Sequence, residues 1–330
     1  MKKPIIIHGK GIAGLCLGAK LLQKNVPIKV VNTQFPSASL HAGAMIHPLG
    51  ADLKVKKEYN LKFEEAKNFY RELSHMLQLD FAAEKNMLVF DKQASVVNEF
   101  IQWPSKDLIE LSKANFHQEP LAIMKGALYI DAKLLLDRWY DYLYENDLLI
   151  NETSLTAYSH SLNIYCRGAS EPTIQKAFST LPFTANRADV LLLSIPDLFS
   201  THIIETKAFR LIPKGNGLFW CGTKTSWMLN DLVPDAEWKA STVQSLKAFL
   251  KHPDIEVINH IVAKRPTTAG QFPFIGIHPH QQDIAIFNGF GTRGFSVAPY
   301  YAERFATAIQ HNNKNIEDYD NERFQKFFML

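Results

Sequence analysis

The sequence predicts an α/β protein: a doubly wound, mostly parallel sheet opened by a βαβ unit, with a second, α+β part built on a mostly antiparallel sheet. Three observations carry that prediction. Ile5-Ile6-Ile7 is a β-branched run without polar alternation, as in a strand covered on both faces, and it leads through a glycine turn into a helix over Leu15 to Lys24. The stretch from Asp189 to about residue 225 reads as successive short strands with no helix between them. A second glycine turn, Gly289 to Gly294, follows a strand and feeds another helix.

Composition fits this class. At 330 residues and 46% hydrophobic, the chain can bury a large core in one or two domains. The formal net charge of +3 is slight for this length and does not announce a nucleic-acid binder. Cys16, Cys166 and Cys221 are odd in number and far apart, without zinc-ligand spacing, so neither a metal nor a disulfide framework is expected. Met1-Lys2-Lys3-Pro4 runs straight into the first strand, and no apolar stretch reaches membrane-spanning length. A soluble, cytoplasmic protein is the expectation.

Taken in order, the first turn is Gly9-Lys10-Gly11-Ile12-Ala13-Gly14, a match to G-x-G-x-x-G with a strand before and a helix after. Such a turn suits a dinucleotide: the first glycine bends tightly, the second admits a pyrophosphate, and the third lets helix and strand touch. An ordinary βαβ corner is the plainer alternative. The second strand, Pro27 to Val31, ends at Asn32, eighteen residues beyond Gly14, where a carboxylate usually accepts from ribose hydroxyls. Asn32 can accept such a bond, but without carboxylate charge.

Pro36 to Gly50 is rich in small residues and reads as an extended loop through which something flat can approach the backbone. His41 and His47 lie in it with no third metal ligand evident. Leu61 to Leu79 carries a helical stripe of Phe63, Ala66, Phe69, Tyr70 and Leu73, expected to face the core. Met87 to Phe90 reads as a strand and Val96 to Gln102 as a helix or its start. Ala132 to Tyr144 is an amphipathic helix with Asp131 as N-cap. Leu162 to Cys166 is a strand that stops at Arg167-Gly168-Ala169. Among the later strands, Asn216-Gly217 marks a hairpin, and Ala236 to Leu250 is a helix. After Lys264 to Gly276 come the strand Ile284 to Phe287, the turn to Gly294, and a helix from about Val297 to Gln310 with Pro299 in its first turn.

Four separate pieces, in order across almost the whole chain, resemble the FAD-dependent D-amino-acid oxidase superfamily, which includes glycine oxidase and sarcosine oxidase. They are Gly9-x-Gly11-Ile12-Ala13-Gly14; Ser39-x-x-Ala42-Gly43-Ala44-x-x-x-Pro48; Gly168-Ala169; and Arg265-Pro266-x-Thr268 with Pro273-x-Ile275-Gly276 and Gly289-x-Gly291-x-x-Gly294 with Ala298-Pro299. The last composite is the most specific. The resemblance implies an FAD-binding, Rossmann-like domain of glutathione-reductase type from 1–50, 130–175 and 265–330, interleaved with a substrate domain from 51–129 and 176–264.

It further implies that non-covalent FAD lies with its ADP on Gly9 to Gly14, near Asn32 and Thr33. The flavin ring would lie between Ser39, Ala42, Gly43 and Ala44 on one side and Gly291, Thr292, Gly294 and Phe295 on the other, with Gly168 at its edge. Arg265 becomes the expected clamp for a substrate carboxylate, since a guanidinium fork matches a carboxylate bidentately, with a structural ion pair as its alternative. Arg293, in the turn, is the second such residue, with a plain surface arginine as its alternative. No metal is implied.

The activity implied is oxidation of a C–N bond in an amino acid or related small amine, with hydride passing to flavin and the resulting imine hydrolysing. Gly291-Thr292-Arg293-Gly294 is also similar to the FAD domain of the bifunctional tRNA wobble-uridine modification enzyme, so a carboxymethylaminomethyl-uridine oxidase stays open, and tRNA with it. An NAD-dependent dehydrogenase would use only the first motif. A flavin-binding protein without turnover is a further alternative.

Overall fold

The computed structural model describes residues 3–32, 37–49, 57–90, 99–169, 177–196, 198, 201–227, 232–251, 254–270 and 272–329. Among them two sheets organise the chain. The first runs Phe274–Ile277, Ile284–Asn288, Asn163–Tyr165, Ile5–His8, Ile28–Val31, Leu149–Ile150. All its neighbours are parallel except the edge pair Phe274–Ile277 and Ile284–Asn288. Ile5–His8 sits centrally and is buried along its whole length, which is why its sequence shows no alternation.

Helices cover this sheet. Ile12–Gln23 and Gly294–Gln310 pack on one another, and Lys57–Leu77 packs on Gly294–Gln310. The stripe Phe63, Ala66, Phe69, Tyr70 and Leu73 is buried in this core, together with Trp139 of the helix Ala132–Glu145. Asp131 caps the latter helix, its carboxylate accepting from the Leu134 N–H at 3.2 Å. Lys57–Leu77 lies in the segment assigned above to the substrate domain, and its apolar face shares one core with residues of both sheets.

The second sheet runs Glu256–Thr268, Phe183–Ser194, Leu218–Ser226, Arg210–Gly215, Ile203–Glu205, Ala82–Val89, Ala122–Ile130, Met45–Ile46, with Ile101–Gln102 also on Ala122–Ile130. It is antiparallel except where Ile203–Glu205 meets Ala82–Val89. Asn216-Gly217 makes the expected turn, both residues at positive φ. Behind this sheet lies the helix Ala236–Phe249, capped by Asp235 accepting from the Trp238 N–H at 2.9 Å. An ionic cluster joins the two layers. The Arg187 guanidinium grips the buried Asp189 carboxylate at 2.8 and 3.0 Å, and Asp189 also accepts from the Asp235 N–H at 3.0 Å and from His260 Nε2 at 2.9 Å.

Three sequence expectations change. Residues 101–102 are a strand rather than part of a helix, because Ile101 buries completely in the core on Ala122–Ile130. The small-residue loop contains a 3-10 turn, Ala38–His41, whose start is held by Ser37 accepting from the Ser39 N–H. The last long helix begins at Gly294, so Pro299 is its sixth residue and not in its first turn. Cys16, Cys166 and Cys221 are all buried and unbridged, and burial pushes the Cys221 thiol up to about 12. No helix among the described residues is long and apolar enough to cross a membrane.

Candidate active site

A cavity of about 460 Å³ lies where the two sheets meet. Its first wall is the glycine turn. Gly9 has φ +120°, and a Cβ there would stand 2.6 Å from the Cys166 carbonyl oxygen. A Cβ on Gly14 would stand 1.8 Å from the Gly9 carbonyl oxygen, so only glycine lets the helix rise this close to its own turn. Gly9, Gly11, Ile12 and Ala13 line the cavity; Gly14 does not, and serves the turn behind it. The Ser39 hydroxyl accepts from the Ile12 N–H at 3.2 Å, pinning the small-residue loop to the helix N-terminus.

The second wall is that loop. Ser39, Ala42, Gly43 and Ala44 line the cavity. Gly43 is backed by the Trp220 indole, whose Nε1 donates to the His41 carbonyl at 2.9 Å; a Cβ on Gly43 would come within 3.0 Å of the ring. The opposite wall is the second glycine turn, with Gly291, Thr292, Gly294 and Phe295 on the cavity. Buried Asn288 ties it to the Gly168 turn: Nδ2 donates to the Gly168 carbonyl at 2.9 Å, while Oδ1 accepts from the Gly289 N–H at 2.8 Å. Gly168 itself lines the cavity.

The floor comes from the second sheet. Ala188, Val190, Trp220 and Thr225 line it, together with Arg265 on the edge strand Glu256–Thr268. Arg265 is half-buried and donates from Nη1 to the Thr225 hydroxyl at 3.1 Å. Burial lowers its pKa to about 10, which still leaves it charged at neutral pH. No carboxylate among the described residues pairs with it. Arg210, also on the cavity, is held bidentately by Glu205, Nη2 to Oε1 at 3.1 Å and Nε to Oε2 at 2.5 Å.

Two residues named from the sequence lie elsewhere. Arg293 does not line the cavity. Its Nη1 donates to the Tyr59 hydroxyl at 2.9 Å, and its guanidinium stands 5.4 Å from that ring, because the 3-10 turn Gly291–Arg293 aims it at the helix Lys57–Leu77. Asn32 is also off the cavity, its Oδ1 accepting from Lys10 Nζ at 2.8 Å. Thr33 lies outside the described residues.

Sequence reasoning missed Lys10, Tyr140, Arg167, Arg210, Trp220 and Thr225 on the cavity wall. Only Trp220 left a local trace: Gly222, two residues on and on the same face of the strand, marks a close approach, and a Cβ there would stand 2.6 Å from the indole.

No protein-family model matches the chain. Among solved structures the chain is similar over nearly its whole length to glycine oxidase from Geobacillus kaustophilus, at 14% identity, 97% of each chain and a TM-score of 0.78. It is similar to iminodiacetate oxidase from Chelativorans sp. BNC1, at 15% identity, covering 97% of this chain and 98% of that one, TM-score 0.77. It is also similar to L-proline dehydrogenase from P. horikoshii, at 14% identity, 98% of each chain and a TM-score of 0.74. At these identities the likeness is one of fold: the chain shares its overall architecture with these three structures over nearly its whole length.

Proposed function

We propose that this chain is an FAD-dependent oxidoreductase that oxidises the C–N bond of an amino acid or a related small amine to an imine, which water hydrolyses. The observation that carries the reading is Arg265: a charged, half-buried fork on the cavity wall, held by a neutral hydroxyl and left without a carboxylate among the described residues. An arginine so placed has its strongest available partner in an incoming anion, and a carboxylate fits it bidentately. The similar proteins glycine oxidase, iminodiacetate oxidase and L-proline dehydrogenase are named for amines that bear a carboxylate.

The residues suit FAD. The glycine cradle is one that a side chain would fill, and it stands at the N-terminus of Ile12–Gln23, whose positive dipole end favours a pyrophosphate. Gly9, Gly11, Ile12 and Ala13 would hold the ADP end. Ser39, Ala42, Gly43, Ala44, Gly168, Gly291, Thr292, Gly294 and Phe295 would enclose the flavin end. The bound flavin supplies a hydride acceptor.

The chain itself binds, orients and excludes water. Arg265 fixes the carboxylate, and Thr225 fixes Arg265, so the neighbouring C–H of the substrate is presented in a restricted set of directions. Trp220, Ala188 and Val190 supply apolar wall that keeps solvent away from the reacting bond. The N-terminus of Gly294–Gln310, with Phe295 and Ser296 on the cavity, favours negative charge there.

The purified protein should be yellow, and acid precipitation should release the colour as FAD. A colourless protein that takes up no added FAD would refute the cofactor assignment.

A further inference from the structure

The cavity wall carries cations that are already matched and cations that are not. Arg167 is bridged to Glu152 at 3.0 Å, and Arg210 to Glu205. Asp137, the carboxylate on the wall, is bridged to Lys133. Arg265 is unmatched at the second sheet. Lys10 is unmatched at the first, at the other side of the cavity, inside the glycine turn. Its Nζ donates to the neutral Asn32 Oδ1 at 2.8 Å and stands 4.4 Å from the centre of the Tyr140 ring. No carboxylate among the described residues reaches it.

An ammonium held between an amide oxygen and an aromatic face is positioned without being neutralised. It is also partly desolvated, since burial draws its pKa below the ordinary lysine value. Both conditions favour a ligand that brings negative charge to the glycine turn. Asn32 is then a tether: one lone pair of its amide oxygen already holds the ammonium.

Resting on the FAD reading above, we infer that Lys10 is a further cofactor-binding residue that supplies positive charge to the dinucleotide polyanion, with Asn32 as its positioning residue rather than a ribose ligand. The usual carboxylate at position 32 would cancel that charge. Asparagine at 32 and lysine at 10 are thus one device, joined by one hydrogen bond.

The test reads cofactor retention, not turnover. FAD release from the holoenzyme on dilution is followed by flavin fluorescence at low and high sodium chloride, with riboflavin binding as the control for the ring end. Wild type should hold FAD more weakly as salt rises, because a partly exposed charge is screened. Lys10→Gln should release FAD about tenfold more readily, lose much of that salt dependence and leave riboflavin binding unchanged, the scale expected for one charge-assisted bond. Lys10→Arg should retain most of the affinity. Asn32→Asp should weaken FAD by pairing with Lys10, whereas a ribose acceptor at 32 would tighten it. Unchanged release and salt dependence in Lys10→Gln, or tighter FAD in Asn32→Asp, would overturn the inference while leaving FAD as the cofactor. A wild type that binds no FAD would overturn both.

Discussion

The Tyr70 hydroxyl donates a 2.8 Å hydrogen bond to the carbonyl oxygen of Phe295, both groups being buried. The partner that a helix would ordinarily give that carbonyl is the N–H four residues on. Here that residue is Pro299, which has none. Lys57–Leu77 therefore satisfies a carbonyl that Pro299 would orphan, in the same turn that carries Phe295 to the cavity. Tyr70→Phe should cost about 1–3 kcal/mol by leaving the oxygen buried and unpaired. Adding Pro299→Ala should recover part of that loss, since alanine brings an N–H. Thermal melts of the two single variants and the double variant give the coupling directly; simple additivity would show that the two residues do not share this carbonyl.

Arg265→Ala should lower kcat/KM by about a hundredfold or more, in line with ~2–5 kcal/mol for one side of a desolvated charge pair, and leave bound FAD in place. Thr225→Val should lower it far less, because only the orientation of the guanidinium is lost. Steady-state kinetics with flavin content measured in parallel distinguish these outcomes from loss of cofactor. Arg293→Ala should have little effect on kcat/KM beyond what weaker packing at Tyr59 produces, since its guanidinium does not face the cavity.

The glycines of the first turn should separate by what lies beyond each hydrogen. Gly14→Ala puts a methyl 1.8 Å from a backbone oxygen, so the turn must open, and little folded protein is expected. A Cβ at Gly11 would meet only the Ser37 and Ser39 hydroxyls, at 3.1 and 3.3 Å. Gly11→Ala should therefore fold with a melting temperature close to wild type and bind FAD poorly. Circular dichroism melts with flavin stoichiometry read both effects.

The Asp189 cluster sets an acid limit. Burial pushes its carboxyl up, but the Arg187 guanidinium, the Asp235 N–H and His260 outweigh burial and hold the pKa below the usual aspartate value. A lowered folded pKa means stability present above the unfolded value of about 3.9 and lost as pH falls through the folded value. Asp189→Asn should lower the melting temperature at neutral pH, by about 3–5 kcal/mol of stability, as when one side of a buried ion pair is removed, because Arg187, the Asp235 N–H and His260 all lose the carboxylate they share. The variant should also show a flatter loss of stability below about pH 4. Melts across pH check both.

Much of the first sheet was legible because its signals are local. An isoleucine run, three glycines at fixed spacing and a helical stripe each lie within a few residues. The long edge strand Glu256–Thr268 was harder to read. Half-exposed on an edge, it shows no clean alternation, and it tolerates Pro266 because an edge strand can spare an N–H. Arg265 was identifiable from its motif, whereas its Thr225 partner lies forty residues away and leaves no local trace. Arg293 and Lys10 show the same limit in opposite senses. A turn motif suggested a cavity-facing arginine, but Tyr59, from a distant helix, holds it away. Lys10 lies inside a motif defined by its glycines, and only the fold brings Asn32 and Tyr140 to its ammonium.

The most direct measurement is anaerobic addition of amino acids and N-alkyl glycines to the yellow holoenzyme, with flavin absorbance as the readout. An amine oxidoreductase should bleach with at least one carboxylate-bearing amine, and Arg265→Ala, still yellow, should fail to bleach with that compound at the same concentration. Flavin that dithionite reduces but no amine does, or equal bleaching of wild type and Arg265→Ala, would contradict the function proposed for this cavity.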